Sequence, residues 1–354
     1  MYVRSSPQYF MEPLESRRLL SAVANAALNP AGLTPQQVRN AYGFNEIQFT
    51  NSKGKAVLGD GAGQTIAVVV AYRDPGIAKD LRLFDAQFGL PNQASKGQFA
   101  LTIATPKGRP ATNADWAQET ALDVEWAHAI APAARIVLVE MKSDSPQDLF
   151  AGVDYARNRR GVTVVSMSWG WDNTPADVEY QNYLSTPVNH VGGLGKGDGV
   201  TFVEAGSDDG APTAFPDASI NVVSVGGTTL TLNGSDYIGE TALPASASSD
   251  TVAYDADPNT GFAVYDSMPD SGVQGWQIAG GTSAGAPQWA GLFAIADQGR
   301  ALAGKHSLDN AAQTLPILNA LPATDFHVIT GADAGTGRGS PFADQVIAGL
   351  VAGD

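Results

Sequence analysis

One serine and two carboxylates stand out as groups able to do chemistry together. Ser283 sits in the glycine-rich turn of GGTSAGAP (280–287), after the apolar run GWQIA and ahead of the helical pattern GAPQWAGLFAIADQ. A serine exposed at a helix start is placed for nucleophilic attack, with the positive end of the helix dipole beside the negative charge that develops. Such a hydroxyl needs a base. The chain has four histidines and no cysteine, so thiolate catalysis, disulfides and cysteine-ligated metals are excluded. In ADWAQETALDVEWAHAIAP (114–132), Glu119 and Asp123 are four residues apart and therefore neighbours on one helix face. Projection at about 100° per residue puts Trp116, Leu122, Trp126 and Ile130 on that face too. Carboxylates on a tryptophan-lined face are expected to be partly buried, with raised pKa values or a shared proton. The plain alternative is two solvated helix charges, a common arrangement.

These residues depend on the elements that carry them. From about residue 64, apolar β-rich runs alternate with helical patterns. QTIAVVVAY (64–72), FALTIAT (99–105), ARIVLVEM (134–141), VTVVSMSW (162–169), VTFVEAG (200–206) and INVVSVGG (220–227) read as strands. Residues 76–89, 114–130 and 145–160 read as helices between them. Continuous Val/Ile runs alternating with helices predict a mostly parallel sheet covered on both faces, an α/β fold. Residues 231–275, rich in Ser, Asp, Gly and Pro, read as loops with few regular elements. In such sheets ligands gather beyond the carboxyl ends of the strands. SMSWG, EAGSDDG and GWQIAGGTS place small and polar residues at those ends.

Two arrangements offer Ser283 a base. GTSAG (281–285) matches the G-x-S-x-G elbow of α/β-hydrolases, which requires an acid and then a histidine downstream. Only His306 and His327 lie there, with Asp297 and Asp309 as acids, but strong strands to carry them and an HGGG-type loop are missing. The other arrangement is a carboxylate pair, then SMSWG, a strand ending in Asp, and GGTS followed by AP. This order resembles the sedolisin family, the serine-carboxyl peptidases, which share the subtilisin fold with glutamate in place of the histidine base. GLTPQQVRNAYGF (32–44), FDAQFGLP, AIAPAARIVLVE, VVSMSWG, NVVSVGGTTL, YDADPNTGFAVYDS, GGTSAGAPQWAGL and GRGSPFADQVIAGL carry the resemblance along the chain.

The resemblance implies a subtilisin-like fold with Ser283 as nucleophile, Glu119 as general base and Asp123 as the residue that orients it. A histidine base is protonated in acid, whereas a carboxylate with a pKa near 4–5 still accepts the serine proton there. The resemblance also implies a protonated aspartic acid as oxyanion donor beside the Ser283 N–H. Ungapped matching of GVTFVEAGSDDG (199–210) gives Asp208, with Asp209 as the alternative. Ser168, Trp169 and Gly170 are expected to supply backbone for strand addition by a polypeptide substrate. Trp169 is expected either to shield the carboxylates or to be a core tryptophan.

Departures from the family pattern set a second expectation, a degenerate member that binds rather than cuts. Only about thirty residues precede the mature-like start, where relatives carry a large prosegment. Val70 stands where relatives often place a glutamate, and the interval LPASASSDTVA lacks their SGGG segment. The family's calcium motif FHDIT reads FHVIT here, with Val328 at the first ligand position. No cofactor is expected to be required and no family-type metal site is expected, although Asp333 is a candidate ligand in a rearranged loop.

Composition bounds the partners. A net charge of −15 argues against nucleic acid, and no segment approaches the ~20 apolar residues of a membrane span. Residues 1–30 read as a leader resembling the EPLESRRLLSA segment of exported bacterial proteins, and residues 31–354 as one peptidase domain. The expectation is an exported or cell-surface monomer.

Overall fold

Where β-branched residues run without interruption, the chain forms buried parallel strands. The computed structural model describes residues 30–91, 100–172, 175–193, 197–206, 214–243, 250–270, 272–331 and 336–354. Thr34 opens α1 (Pro35–Ala41) with a capping box: its hydroxyl accepts the Gln37 N–H, and the Gln37 side chain accepts the Thr34 N–H at 3.0 Å. A small hairpin of β1 (Gln48–Thr50) and β2 (Ala56–Leu58) leads to β3 (Thr65–Ala71), buried along its length. Helices and strands then alternate: α2 (Ile77–Phe88), β4 (Leu101–Ala104), α3 (Ala114–Ile130), β5 (Arg135–Met141), α4 (Pro146–Asn158) and β6 (Val164–Met167). Next come β7 (Trp171–Asp172), β8 (Thr201–Ala205) and β9 (Ala214–Phe215), with β7 pairing antiparallel to β9. The remaining strands are β10 (Val223–Asn233), β11 (Asp236–Ala242), β12 (Val252–Asp255), β13 (Phe262–Asp270) and β14 (Val273–Ala279). The chain closes with α5 (Gly285–Leu302), α6 (Leu315–Ala320), β15 (Ile329–Thr330) and α7 (Ala343–Ala352).

The main sheet runs β15-β11-β10-β8-β6-β3-β5-β4, with β12 paired to β10 off this path. From β4 to β10 every neighbouring pair is parallel, so the α/β expectation holds. Only β11 runs antiparallel to its neighbour β10. The register sets Val68 against both Leu138 and Ser166, and Met167 against Glu204.

The expectation of loops across 231–275 was wrong. That span holds the end of β10, all of β11, β12 and β13, and the start of β14. Asn233 and Gly234 turn β10 into β11, with Gly234 at φ +67°, the left-handed backbone such a hairpin turn uses. The polar residues that suggested loops are largely the solvent side of half-exposed strands, as in β11.

Two apolar layers sandwich the sheet. On one face α3 and α5 pack with Trp126 and Trp289, both fully buried. Their indole N–H groups donate to the Ala263 and Ala253 carbonyls at 2.9 and 3.1 Å. Each such ring removes about 150–250 Å² from water, roughly 4–6 kcal/mol at about 25 cal/mol per Å². On the other face α4 packs Leu149, Phe150 and Val153 against Val69, Met167 and Phe202. Helix α3 is buried from Ala117 to Ile130, not along one stripe, because α2, α5 and β13 surround it. At the start of the described chain, Leu33 joins the edge of β13, donating to Gly261 and accepting from Ala263.

Candidate active site

Three sequence-distant residues meet where the sheet's strands end. Asn113 caps α3, accepting the Trp116 N–H at 3.1 Å, and this starts the helix that carries Glu119 and Asp123 one turn apart. Ser168 follows the last residue of β6. Its hydroxyl donates to Asp123 Oδ1 at 2.8 Å and lies 3.5 Å from the Ser283 carbonyl oxygen. Ser283 occupies a 3-10 turn, Thr282–Ala284, immediately ahead of α5. Gly281 enters that turn at φ +94°, and the Thr282 hydroxyl donates to the Gly206 carbonyl just past β8. The turn is thus fastened to the end of one strand, while Ser168 links the end of the next strand to α3.

The cluster is deeply placed. Glu119 is 4 % exposed, and Asp123, Ser168 and Ser283 are 1 % or less. The carboxylates are buried as the tryptophan-lined face suggested, but Ser283 is buried rather than exposed. Asp208 and its alternative Asp209 lie outside the described residues.

Trp169 resolves to the core alternative. Its indole donates to the Val69 carbonyl at 2.8 Å, and its ring packs in the α4 layer, edge-on to Phe150 and stacked on Trp171. That layer lies across the sheet from α3, so Trp169 braces the strand end and does not cover Asp123. Gly170 stays half-buried between Trp169 and β7.

The sequence reading missed Glu204, a glutamate inside the apolar run VTFVEAG. It is fully buried at the end of β8, with the Trp169 backbone N–H close enough to favour its charged form. Burial first, then the Asp217 charge, pushes its carboxyl well above the usual range, and the Asp123 charge adds to this. A charged residue in an otherwise apolar strand was the available signal.

The downstream histidines do not reach Ser283. His306 lies beyond the C-terminal end of α5, and the helix's eighteen residues put about 27 Å between its ends. There His306 Nδ1 sits 2.8 Å from Asp198. His327 is clasped between Tyr237 and Phe342, and burial pushes its pKa down to about 4. Asp297 accepts the Leu308 N–H and Asp309 the Ala312 N–H, so neither faces the serine turn. The hydrolase-elbow arrangement is therefore not assembled.

Val328 is 88 % exposed and offers no side-chain oxygen, and Asp333 lies outside the described residues. Among the described residues no helix is long and apolar enough to cross a membrane.

The model of the subtilase family matches residues 111–320, more than half of the chain. No curated protein matches. Among solved structures, Pseudomonas sedolisin, a serine-carboxyl proteinase complexed with pseudo-iodotyrostatin, superposes with a TM-score of 0.69 at 18% identity, over 90% of this chain and 98% of that one. A lanthipeptide protease gives 0.57 at 16% identity, over 82% of this chain and 89% of its own. A cold adapted subtilisin-like serine proteinase gives 0.53 at 18%, over 85% and 98%. These likenesses show a shared fold.

Proposed function

The chain belongs to the subtilase family of serine peptidases, and from that premise we propose that it is an acid-active endopeptidase of the serine-carboxyl type. The observation that carries this reading is the Ser168 hydroxyl, bonded to Asp123 and within 3.5 Å of the Ser283 carbonyl. It brings the carboxylate-bearing helix to the serine turn.

In this reading Ser283 Oγ attacks the scissile carbonyl while Glu119 takes its proton. Asp123, held by Ser168, orients Glu119 and tunes its affinity for the proton as the third member of a triad. The collapsing tetrahedral intermediate expels the amine, which takes the proton back from Glu119 and leaves an acyl group on Ser283. Water then repeats the cycle and frees the acid. The Ser283 N–H, at the start of α5, and Asp208 are assigned to the oxyanion. Backbone of Ser168 to Gly170 is assigned to pairing with the substrate chain. We assign this activity to residues 31–354, treat residues 1–30 as a leader, and place the protein outside the cell as a monomer. Calcium at the family position has no part in it.

A second reading has one observation in its favour. Ser283 has no exposed surface, as suits a scaffold that binds polypeptide without cutting it.

The test incubates the full chain with an acid-denatured protein between pH 3 and 7, beside Ser283→Ala, Glu119→Gln and His306→Ala. Circular dichroism first establishes that all four are folded. Cleavage peaking in acid, lost in the first two variants and kept in the third, is the expected result. A folded wild type that cuts nothing favours the scaffold. Cleavage near neutral pH that survives Glu119→Gln overturns the base assignment.

A further inference from the structure

Away from the serine turn, Asp74, Asp80 and Asp266 converge from the loop after β3, the first turn of α2 and β13. All three are at most 1 % exposed, and one carboxylate oxygen from each lies within 4.8 Å of the others. Each carboxylate is held by one oxygen only. Asp74 Oδ1 accepts the Gly76 N–H at 2.6 Å, and Asp266 Oδ1 the Met268 N–H at 2.7 Å. Asp80 Oδ2 accepts the Ser267 N–H and hydroxyl at 3.0 and 2.8 Å. The other oxygens, Asp74 Oδ2, Asp80 Oδ1 and Asp266 Oδ2, are buried with no hydrogen-bond partner.

A fourth carboxylate supplies an independent observation. Glu125 of α3 is fully buried, its Oε2 accepts the Tyr265 N–H at 3.0 Å, and its Oε1 has no partner. It stands beside the cluster, close enough for the Asp80 and Asp266 charges to act on it. No ion pair to any of the four is found among the described residues. Burying several carboxylates with unmatched oxygens is costly unless something cationic satisfies them.

We propose that Asp74, Asp80 and Asp266, with Glu125 behind them, form a binding site for a divalent calcium ion. All the donors are oxygen, which selects a hard cation. Calcium–oxygen distances of about 2.3–2.6 Å allow ligand oxygens up to about 5 Å apart, matching this cluster. Magnesium, at about 2.0–2.1 Å and keeping several waters, suits a dry site of this spacing less well. The ion would join β3, α2 and β13, and the hairpin partner of β13, β14, runs straight into Gly280 and the Ser283 turn. The inference does not depend on whether the protein cuts peptides.

The experiment strips the full chain with a chelator and titrates it at pH 7 with calcium chloride, then magnesium chloride, by calorimetry and thermal unfolding. The expected result is one saturable calcium site and a rise in Tm of about 5 °C at saturating ion, with a weaker response to magnesium. Asp80→Asn and Asp266→Asn keep the shape and the hydrogen-bond acceptors. They should fold without calcium at least as well as the wild type, because a like charge is gone, and should lose the calcium response more than tenfold. A wild type that shows no calcium heat and no Tm shift overturns the proposal, since protons then neutralise the cluster. So does a calcium response that persists in both variants, because the ion then sits elsewhere.

Discussion

Replacing Asp297 by asparagine should flatten the stability of this fold between acid and mild alkali. Asp297 lies in the middle of α5, is 1 % exposed and accepts the Leu308 N–H at 2.9 Å. Burial pushes its pKa from the usual 3.8 up to about 8, against the opposing pull of that hydrogen bond and of Arg300. The folded state therefore holds a proton that the unfolded chain releases. Its contribution is complete below about pH 4 and is lost as the pH climbs through about 8. About four pKa units at about 1.4 kcal/mol each set a ceiling of roughly 6 kcal/mol. Asparagine resembles the protonated acid: its oxygen can still accept the Leu308 N–H, and its amide donates where the acid proton did. Urea unfolding followed by tryptophan fluorescence from pH 3 to 9 is the assay. Asp297→Asn should match the wild type within about 1 kcal/mol at pH 3–4 and exceed it by several kcal/mol near pH 9. Parallel curves at every pH would refute the reasoning, because Asp297 would then stay ionised with Arg300 compensating its charge.

Other outcomes follow from named contacts. Ser168→Ala removes a buried hydrogen bond to a carboxylate. It should cost about 1.5–3 kcal/mol in urea unfolding and, if the protein is a peptidase, lower kcat roughly tenfold with little change in KM. Gly291→Ala puts a methyl 2.8 Å from Ile130 where α5 crosses α3. Calorimetry should show a loss of about 1–3 kcal/mol, more than the roughly 1 kcal/mol gained in helix propensity.

The sequence exposed the parallel sheet because a strand buried on both faces must be apolar throughout. QTIAVVVAY and ARIVLVEM could be nothing else, and β3 and β5 end within a residue or two of those runs. It hid β11 and β13, whose Asp, Glu, Ser, Gly and Pro residues resemble loop composition. The Asn-Gly step at 233–234 was the neglected hairpin signal. Within the candidate site, the four-residue spacing of Glu119 and Asp123 was legible, and so was the turn around Ser283. The role of the Ser168 hydroxyl was not, because it depends on the end of β6 lying against α3, a contact between residues 45 positions apart. Glu204 was missed because a lone charge in an apolar run shows no partner until β8 is set beside β6.

The stitching of Leu33 to the edge of β13 bears on synthesis. Tyr42 donates to Glu240 and accepts from the Asp255 N–H, partners 198 and 213 residues further on. Gln37 and Asn40 likewise bond to the carbonyls of Gly234 and Ser235. At about 5–20 residues per second, a ribosome needs on the order of ten to forty seconds to deliver those partners. Through that interval α1 lacks its partners on β11 and β12 and has the C-terminal end of α3 to dock on, where Arg39 donates to the Ala129 and Ile130 carbonyls, while β3 to β6 already have one another. The early segment is therefore a late joiner, and a nascent chain halted before residue 260 should leave it open to protease although the parallel strands are protected.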